Sequence, residues 1–252
     1  MITLTDAVAL VAAGAVAGLV GSAGGITSLV SYPALLAVGL PALAANVANN
    51  VALIACWPGS ALGSQPELRG RGHWLRRWAP VAALGGAAGA ALLLLTPSGV
   101  FARIVPFLVL AGALALVFEP RLTARRRGGS IRREPVILGG WLLALSLYNG
   151  YFGAGSGVML LTLLLVLVDR SLPIANALKN MLLGAALAVS ATMYVLFASV
   201  RWGAVLPLAA GMFLGSRVGP LLARRLPPGF LRWAIAGLGV ALAVQLWVHP
   251  AS

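Results

Sequence analysis

Long apolar runs separated by short polar links are the main pattern of this chain. The predicted apolar segments are 4–20, 26–38, 41–62, 78–95 and 100–118, followed by 136–152, 158–168, 173–200, 202–222 and 230–248. Several approach the roughly 20 residues that a helix needs to cross the hydrocarbon core of a bilayer. The runs are continuously apolar rather than alternating, which favours helices over the strands of a barrel. The pattern predicts an all-α integral membrane protein with about five hydrophobic segments in each half.

Composition supports this prediction and limits the partners. A mean hydropathy of +0.97, with 60% hydrophobic and 9% charged residues, excludes an ordinary soluble domain. The formal net charge of +13 is typical of nucleic-acid binding, but the arginines lie in the links between apolar segments and lack interleaved aromatic residues. Positive charge on the cytoplasmic side of a membrane explains them better. We therefore expect membrane lipid, and no nucleic acid, around this protein.

The second half of the chain repeats the first at a shift of 132 positions. The shift pairs Gly18 with Gly150, Gly21 with Gly153, Gly25 with Gly157, Leu40 with Leu172, and Pro41 with Pro173. Matches in one register at the residues that punctuate the segments indicate an internal duplication. The predicted units are a first transmembrane repeat (1–120), an arginine-rich cytoplasmic linker (121–134) and a second transmembrane repeat (135–252).

The arginines indicate how the two repeats are oriented. If the second repeat is inverted, fifteen of the seventeen arginines lie on the cytoplasmic side, and only Arg103 and Arg201 lie outside. A parallel arrangement places twelve inside and five outside. The charge rule therefore favours two inverted repeats, with both termini outside.

Each repeat carries a glycine-rich break, Gly18 to Gly25 in the first and Gly150 to Gly157 in the second. Broken backbone is tolerated in a bilayer only where it lines a cavity or is buried in protein. A helix that restarts after such a break presents free N–H groups, which attract anions. Two breaks related by an inverted repeat are expected to meet near the midplane, where transporters bind their substrates.

The predicted backbone donors at the breaks are Gly24, Gly25, Gly155, Ser156 and Gly157, and the predicted side-chain donors are Ser22, Thr27, Asn149 and Ser156. The alternative is that the glycines only permit close helix packing. Packing is the favoured interpretation for the glycines at four-residue spacing. These are Gly14 and Gly18, Gly85 and Gly89, and Gly211, Gly215 and Gly219.

Lys179 is the only lysine in the chain. It lies six residues beyond Pro173 in an apolar segment, about 9 Å along a helix axis at about 1.5 Å per residue. An ionisable group at such depth is costly and usually faces a polar cavity or a partner. Lys179 either supplies a fixed positive charge for an anionic substrate or extends back to the cytoplasmic interface.

Asparagines occupy the early turns of the two matching long segments. They are Asn46, Asn49 and Asn50 in the first repeat and Asn176 and Asn180 in the second. Spacings of three and four place pairs of them on one helix face. Because buried amides need partners, they either orient a substrate or bond the opened backbone of the glycine breaks.

Together these motifs resemble the sulfite exporter TauE/SafE family, also called the TSUP family. The resemblance rests on the doubled glycine break, Leu40-Pro41 with Leu172-Pro173, the arginine-rich linker and the Trp202-Gly203 start of the next segment. It implies a multi-pass secondary transporter of the bacterial inner membrane, with sulfite, a sulfonate or a related organic anion as substrate.

Our leading hypothesis is an anion transporter working by alternating access, without a metal or cofactor. Lys179 supplies charge, the helix ends supply backbone donors, and the asparagines orient the small anionic substrate. A passive anion channel and a non-transporting membrane scaffold or sensor are the alternatives, and a homo-oligomer is left open. An enzyme is disfavoured, since both histidines, His73 and His249, lie in a link and near the terminus.

Overall fold

The computed structural model describes residues 2–124 and 134–223, which form helices joined by short links. The helices are α1 (Leu4–Gly24), α2 (Ser28–Ala37), α3 (Ala42–Leu53), α4 (Cys56–Gly63), α5 (Gln65–Leu68), α6 (Gly72–Leu94), α7 (Ser98–Ala124), α8 (Glu134–Tyr151), α9 (Ser156–Leu167), α10 (Leu172–Phe197) and α11 (Trp202–Ala223). Among the described residues, α1, α6, α10 and most of α11 are long and apolar enough to cross a membrane. The prediction of an all-α integral membrane protein is confirmed.

Local sequence fixes where several helices begin. Thr3 Oγ1 accepts a hydrogen bond from the backbone N–H of Asp6, and the Asp6 carboxylate accepts one from the Thr3 N–H, which together form a capping box for α1. Pro41 precedes α3 and Pro173 lies in the first turn of α10, where its missing N–H is not needed. Helix α7 continues through Arg121 to Ala124, so the first residues of the predicted linker are helical. The remainder of that linker up to 133, and the predicted segment 230–248, lie outside the described residues.

The predicted single segment 41–62 is wrong, because the structure divides it into α3 and α4. The division lies at Ile54 and Ala55, and Pro58 follows four residues after Ile54. A proline ring clashes with the carbonyl four residues before it and offers no N–H to that carbonyl. The N–H of Trp57 bonds to Ile54 O instead, at 3.2 Å, and the chain turns there.

The glycine breaks are also shorter than predicted. Helix α1 continues through Gly18 and Gly21 to Gly24, and α8 continues through Gly150. A methyl group on Gly18 would overlap the backbone of Met212. The first glycines of each motif thus serve helix packing, and the backbone leaves the helix only near Gly25 in the first motif and between Phe152 and Gly155 in the second.

The two halves exchange their packing partners. Helix α1 packs mainly against α11, and α8 packs against α6, so that the first helix of each half lies on the fourth segment of the other. A methyl group on Gly14 would overlap the backbone of Leu208, and one on Gly211 would overlap that of Val11. The predicted packing role of the glycines at four-residue spacing is confirmed by these contacts.

The sequence shift of 132 pairs Gly25 with Gly157, and these two residues touch in the structure. A Cβ on Gly157 would lie 2.5 Å from Gly25 Cα, and one on Gly25 would lie 2.7 Å from Gly157 Cα. A residue near a two-fold axis contacts its own equivalent. The contact is what a duplication would produce, and the duplication, the inverted orientation and the unit boundaries stay predictions.

Candidate functional site

The chain reverses between paired helices at left-handed glycines. Gly25 ends α1 with a φ of +83°, and Gly153 and Gly155 separate α8 from α9 with φ of +83° and +76°. Residues that carry a side chain rarely adopt this backbone conformation, which explains why glycines occupy these positions. The N–H of Ser156 bonds to Gly153 O at 3.1 Å. The N–H of Gly157, next in the first turn of α9, has no carbonyl partner within its own helix.

A small cavity of about 50 Å³ lies between the two breaks, α4 and α10. The predicted site residues that line it are Ser22, Gly25, Thr27, Asn149, Ser156, Gly157, Lys179 and Asn180. A cavity needs roughly 10–15 Å³ to hold one water molecule. The cavity therefore has room for a few waters or one small solute.

Lys179 is fully buried and its ammonium points into this region. Lys179 Nζ donates to Asn176 Oδ1 at 2.8 Å and to Gly21 O at 3.3 Å. One of the two predicted alternatives required the side chain to extend back to the interface. The structure instead holds it inside the protein. Both acceptors are neutral oxygens, so they satisfy hydrogen bonds without neutralising the charge.

Asn149 also lines the cavity. Its Oδ1 accepts a hydrogen bond from Ser156 Oγ at 2.7 Å, and its side chain is 4% exposed. Its Nδ2 has no hydrogen-bond partner within the described part of the chain. A buried donor without a partner is costly unless a ligand or water accepts from it.

Three of the asparagines bond the backbone where the first helix of the opposite half ends. Asn176 and Asn180 donate to Ser22 O at 2.8 and 3.0 Å, and Asn46 donates to Tyr151 O at 2.8 Å. These carbonyls belong to the last turns of α1 and α8, which lack partners within their own helices. These bonds match the second predicted interpretation, in which asparagine side chains donate hydrogen bonds to backbone carbonyls at the glycine breaks.

The remaining predicted residues do not line the cavity. Asn49 donates to Ser28 Oγ at 3.1 Å and accepts from Ser31 Oγ at 2.5 Å, which fastens α2 to α3. Asn50 Nδ2 donates to Asn46 O at 3.1 Å. Gly24 and Gly155 belong to the breaks themselves.

Sequence reasoning missed the contribution of α4. Cys56, Trp57 and Ser60 line the cavity, but they lie in an apolar run with no polar spacing to mark them. The only local signal is Pro58, whose effect on the helix redirects α4. Ser28 was also missed, although it directly follows the first break.

The chain is similar in sequence to known membrane proteins. Residues 7–246 match the family described as Sulfite exporter TauE/SafE. A probable membrane transporter protein from Haemophilus influenzae is 29% identical over 211 residues, which cover 82% of this chain and 80% of the relative. A probable membrane transporter protein, ORF9, from Sinorhizobium sp. is 27% identical over 240 residues, covering 93% and 90%. No solved structure matches the chain.

Proposed function

The chain belongs to the sulfite exporter TauE/SafE family, and we propose that it is a secondary transporter moving sulfite or a related sulfur-containing organic anion across the bacterial inner membrane by alternating access. The family and both relatives support a membrane transporter. The observation that best supports an anionic substrate is that three different hydrogen-bond donors belong to residues around one cavity.

The three donors suit an oxyanion. Lys179 brings a cation, Asn149 brings an amide N–H without a partner among residues 2–124 and 134–223, and the first turn of α9 brings the N–H of Gly157. Hydrogen bonds in which one partner is ionised are stronger than neutral ones, and a helix N-terminus favours negative charge. The small volume favours a compact anion.

Alternating access is supported by the position of the cavity. Its lining comes from both halves, and the Gly25–Gly157 contact lies at the point where the halves meet. A rocking motion of one half against the other would open such a site to each side in turn. A passive channel would instead conduct without dependence on a coupled gradient.

The test is uptake of labelled sulfite into proteoliposomes, with and without a pH gradient. Lys179→Ala and Lys179→Met remove the charge, and Met keeps most of the side-chain volume. Because hydrogen bonds to charged groups contribute about 1.5–3 kcal/mol, we expect the apparent affinity for sulfite to fall roughly 10- to 100-fold.

Arg76→Ala is the matched control, since Arg76 is an exposed cation at the start of α6. It should transport like the wild type. If both Lys179 variants fold and keep the wild-type affinity, the anion site is wrongly assigned. If flux is independent of any gradient, the protein is a channel.

A further inference from the structure

Trp57 has the largest side chain in the lining of the cavity. It lies in the first turn of α4 and is 38% exposed. Its indole lies directly on Gly184 of α10: a Cβ at Gly184 would lie 2.8 Å from Trp57 Nε1 and would overlap the ring carbons Cγ and Cδ1. Only a glycine at this position lets the indole reach the helix backbone.

Apart from Leu53, Leu183 and Leu187, whose side chains are smaller than an indole, the other walls of the cavity leave little to adjust. On one side Gly25 and Gly157 touch through their backbones, so no side chain can be shortened there. Lys179 is held by Asn176 Oδ1 and Gly21 O. The indole is therefore the bulky group whose removal would enlarge the cavity most without touching the donors.

We propose that the Trp57–Gly184 contact sets the upper size limit of the transported anion, admitting a bare oxyanion and excluding one that carries an alkyl group. This inference rests on the proposed transport function and narrows its substrate from the wider set of sulfur-containing and organic anions to bare oxyanions. It places selectivity for size on α4 and α10, and leaves recognition of charge to Lys179 and Asn149.

The experiment compares uptake of sulfite with uptake of ethanesulfonate in proteoliposomes. Ethanesulfonate carries a similar sulfur–oxygen head with an ethyl group added. The ratio of the two rates is measured for each protein, so it does not depend on how much protein is reconstituted. Trp57→Ala and Trp57→Leu should raise the ethanesulfonate-to-sulfite ratio at least about tenfold, since one methylene in an apolar pocket changes discrimination by roughly 10- to 200-fold. Trp141→Ala removes an exposed indole from α8 and should leave the ratio unchanged.

A second set of variants tests the contact itself. Gly184→Ala forces the indole to move, so it should lower sulfite uptake. In the Trp57→Ala background the added methyl group meets no ring, and Gly184→Ala should then have little further effect.

An unchanged ratio in both Trp57 variants would overturn the size limit, and so would an equal effect of Gly184→Ala in the two backgrounds. If the folded wild type carries no sulfite, the proposed function fails first. If it carries sulfite and the ratios do not move, only the size limit fails.

Discussion

Three substitutions can separate two costs at the contact between Gly25 and Gly157. One is the cost of a left-handed backbone for a residue with a Cβ, and the other is the cost of overlap between the two breaks. Gly25→Ala combines a left-handed φ of +83° with overlap against the opposite half. Gly39 has a φ of +84° and nothing within 4 Å of an added Cβ, so Gly39→Ala reports the backbone cost alone. Gly157→Ala reports the overlap alone, because its φ is not positive.

The expected magnitudes follow from these geometries. A left-handed conformation costs a residue with a Cβ about 1–2 kcal/mol, and forcing an extra methyl group into a packed interior costs about 1–3 kcal/mol. Gly39→Ala should therefore lower the free energy of unfolding by about 1–2 kcal/mol. Gly157→Ala should lower it by about 1–3 kcal/mol, and Gly25→Ala by about 2–5 kcal/mol, near the sum.

Denaturant unfolding of the purified proteins in mixed micelles, followed by tryptophan fluorescence, measures these differences. The order Gly25→Ala, then Gly157→Ala, then Gly39→Ala is expected for the loss of stability. If Gly25→Ala costs no more than Gly39→Ala, the two breaks do not touch, and the assignment of the central contact is refuted.

Three further predictions concern polar contacts. Asn149→Leu should weaken sulfite binding roughly tenfold or more while most of the stability is retained, because the lost donor has no partner among the described residues and Ser156 Oγ keeps its 2.8 Å hydrogen bond to Gly153 O; a ligand-binding assay that shows no change would contradict this. Asn46→Ala leaves Tyr151 O without its 2.8 Å hydrogen bond and should lower the free energy of unfolding by about 1–3 kcal/mol; a loss below measurement error would refute it. Asp169→Asn breaks the partly exposed ion pair with Arg71 and should lower the free energy of unfolding by less than about 1 kcal/mol; a larger loss in the same denaturation assay would contradict this.

The lining of the cavity could be predicted only in part, because only some of its residues are unusual in an apolar segment. Lys179 and the glycine breaks stood out because a charge or a run of glycines is rare within apolar segments. Trp57 did not stand out, since an aromatic residue is ordinary there. Asn46 and Asn149 are both asparagines in apolar runs, yet Asn46 bonds the backbone of Tyr151, whereas Asn149 lines the cavity with a donor that no described residue accepts from.

The sequence by itself determined the membrane class and the family, and it predicted the duplication and the segments that carry the candidate site. These depend on local composition and spacing, which any fold of the chain must obey. The tertiary structure decided which polar groups face one another, because each half lays its first helix on the other. Contacts between the two halves bring Ser22 to Asn176, Tyr151 to Asn46 and the indole of Trp57 to Gly184, over separations that no local pattern records.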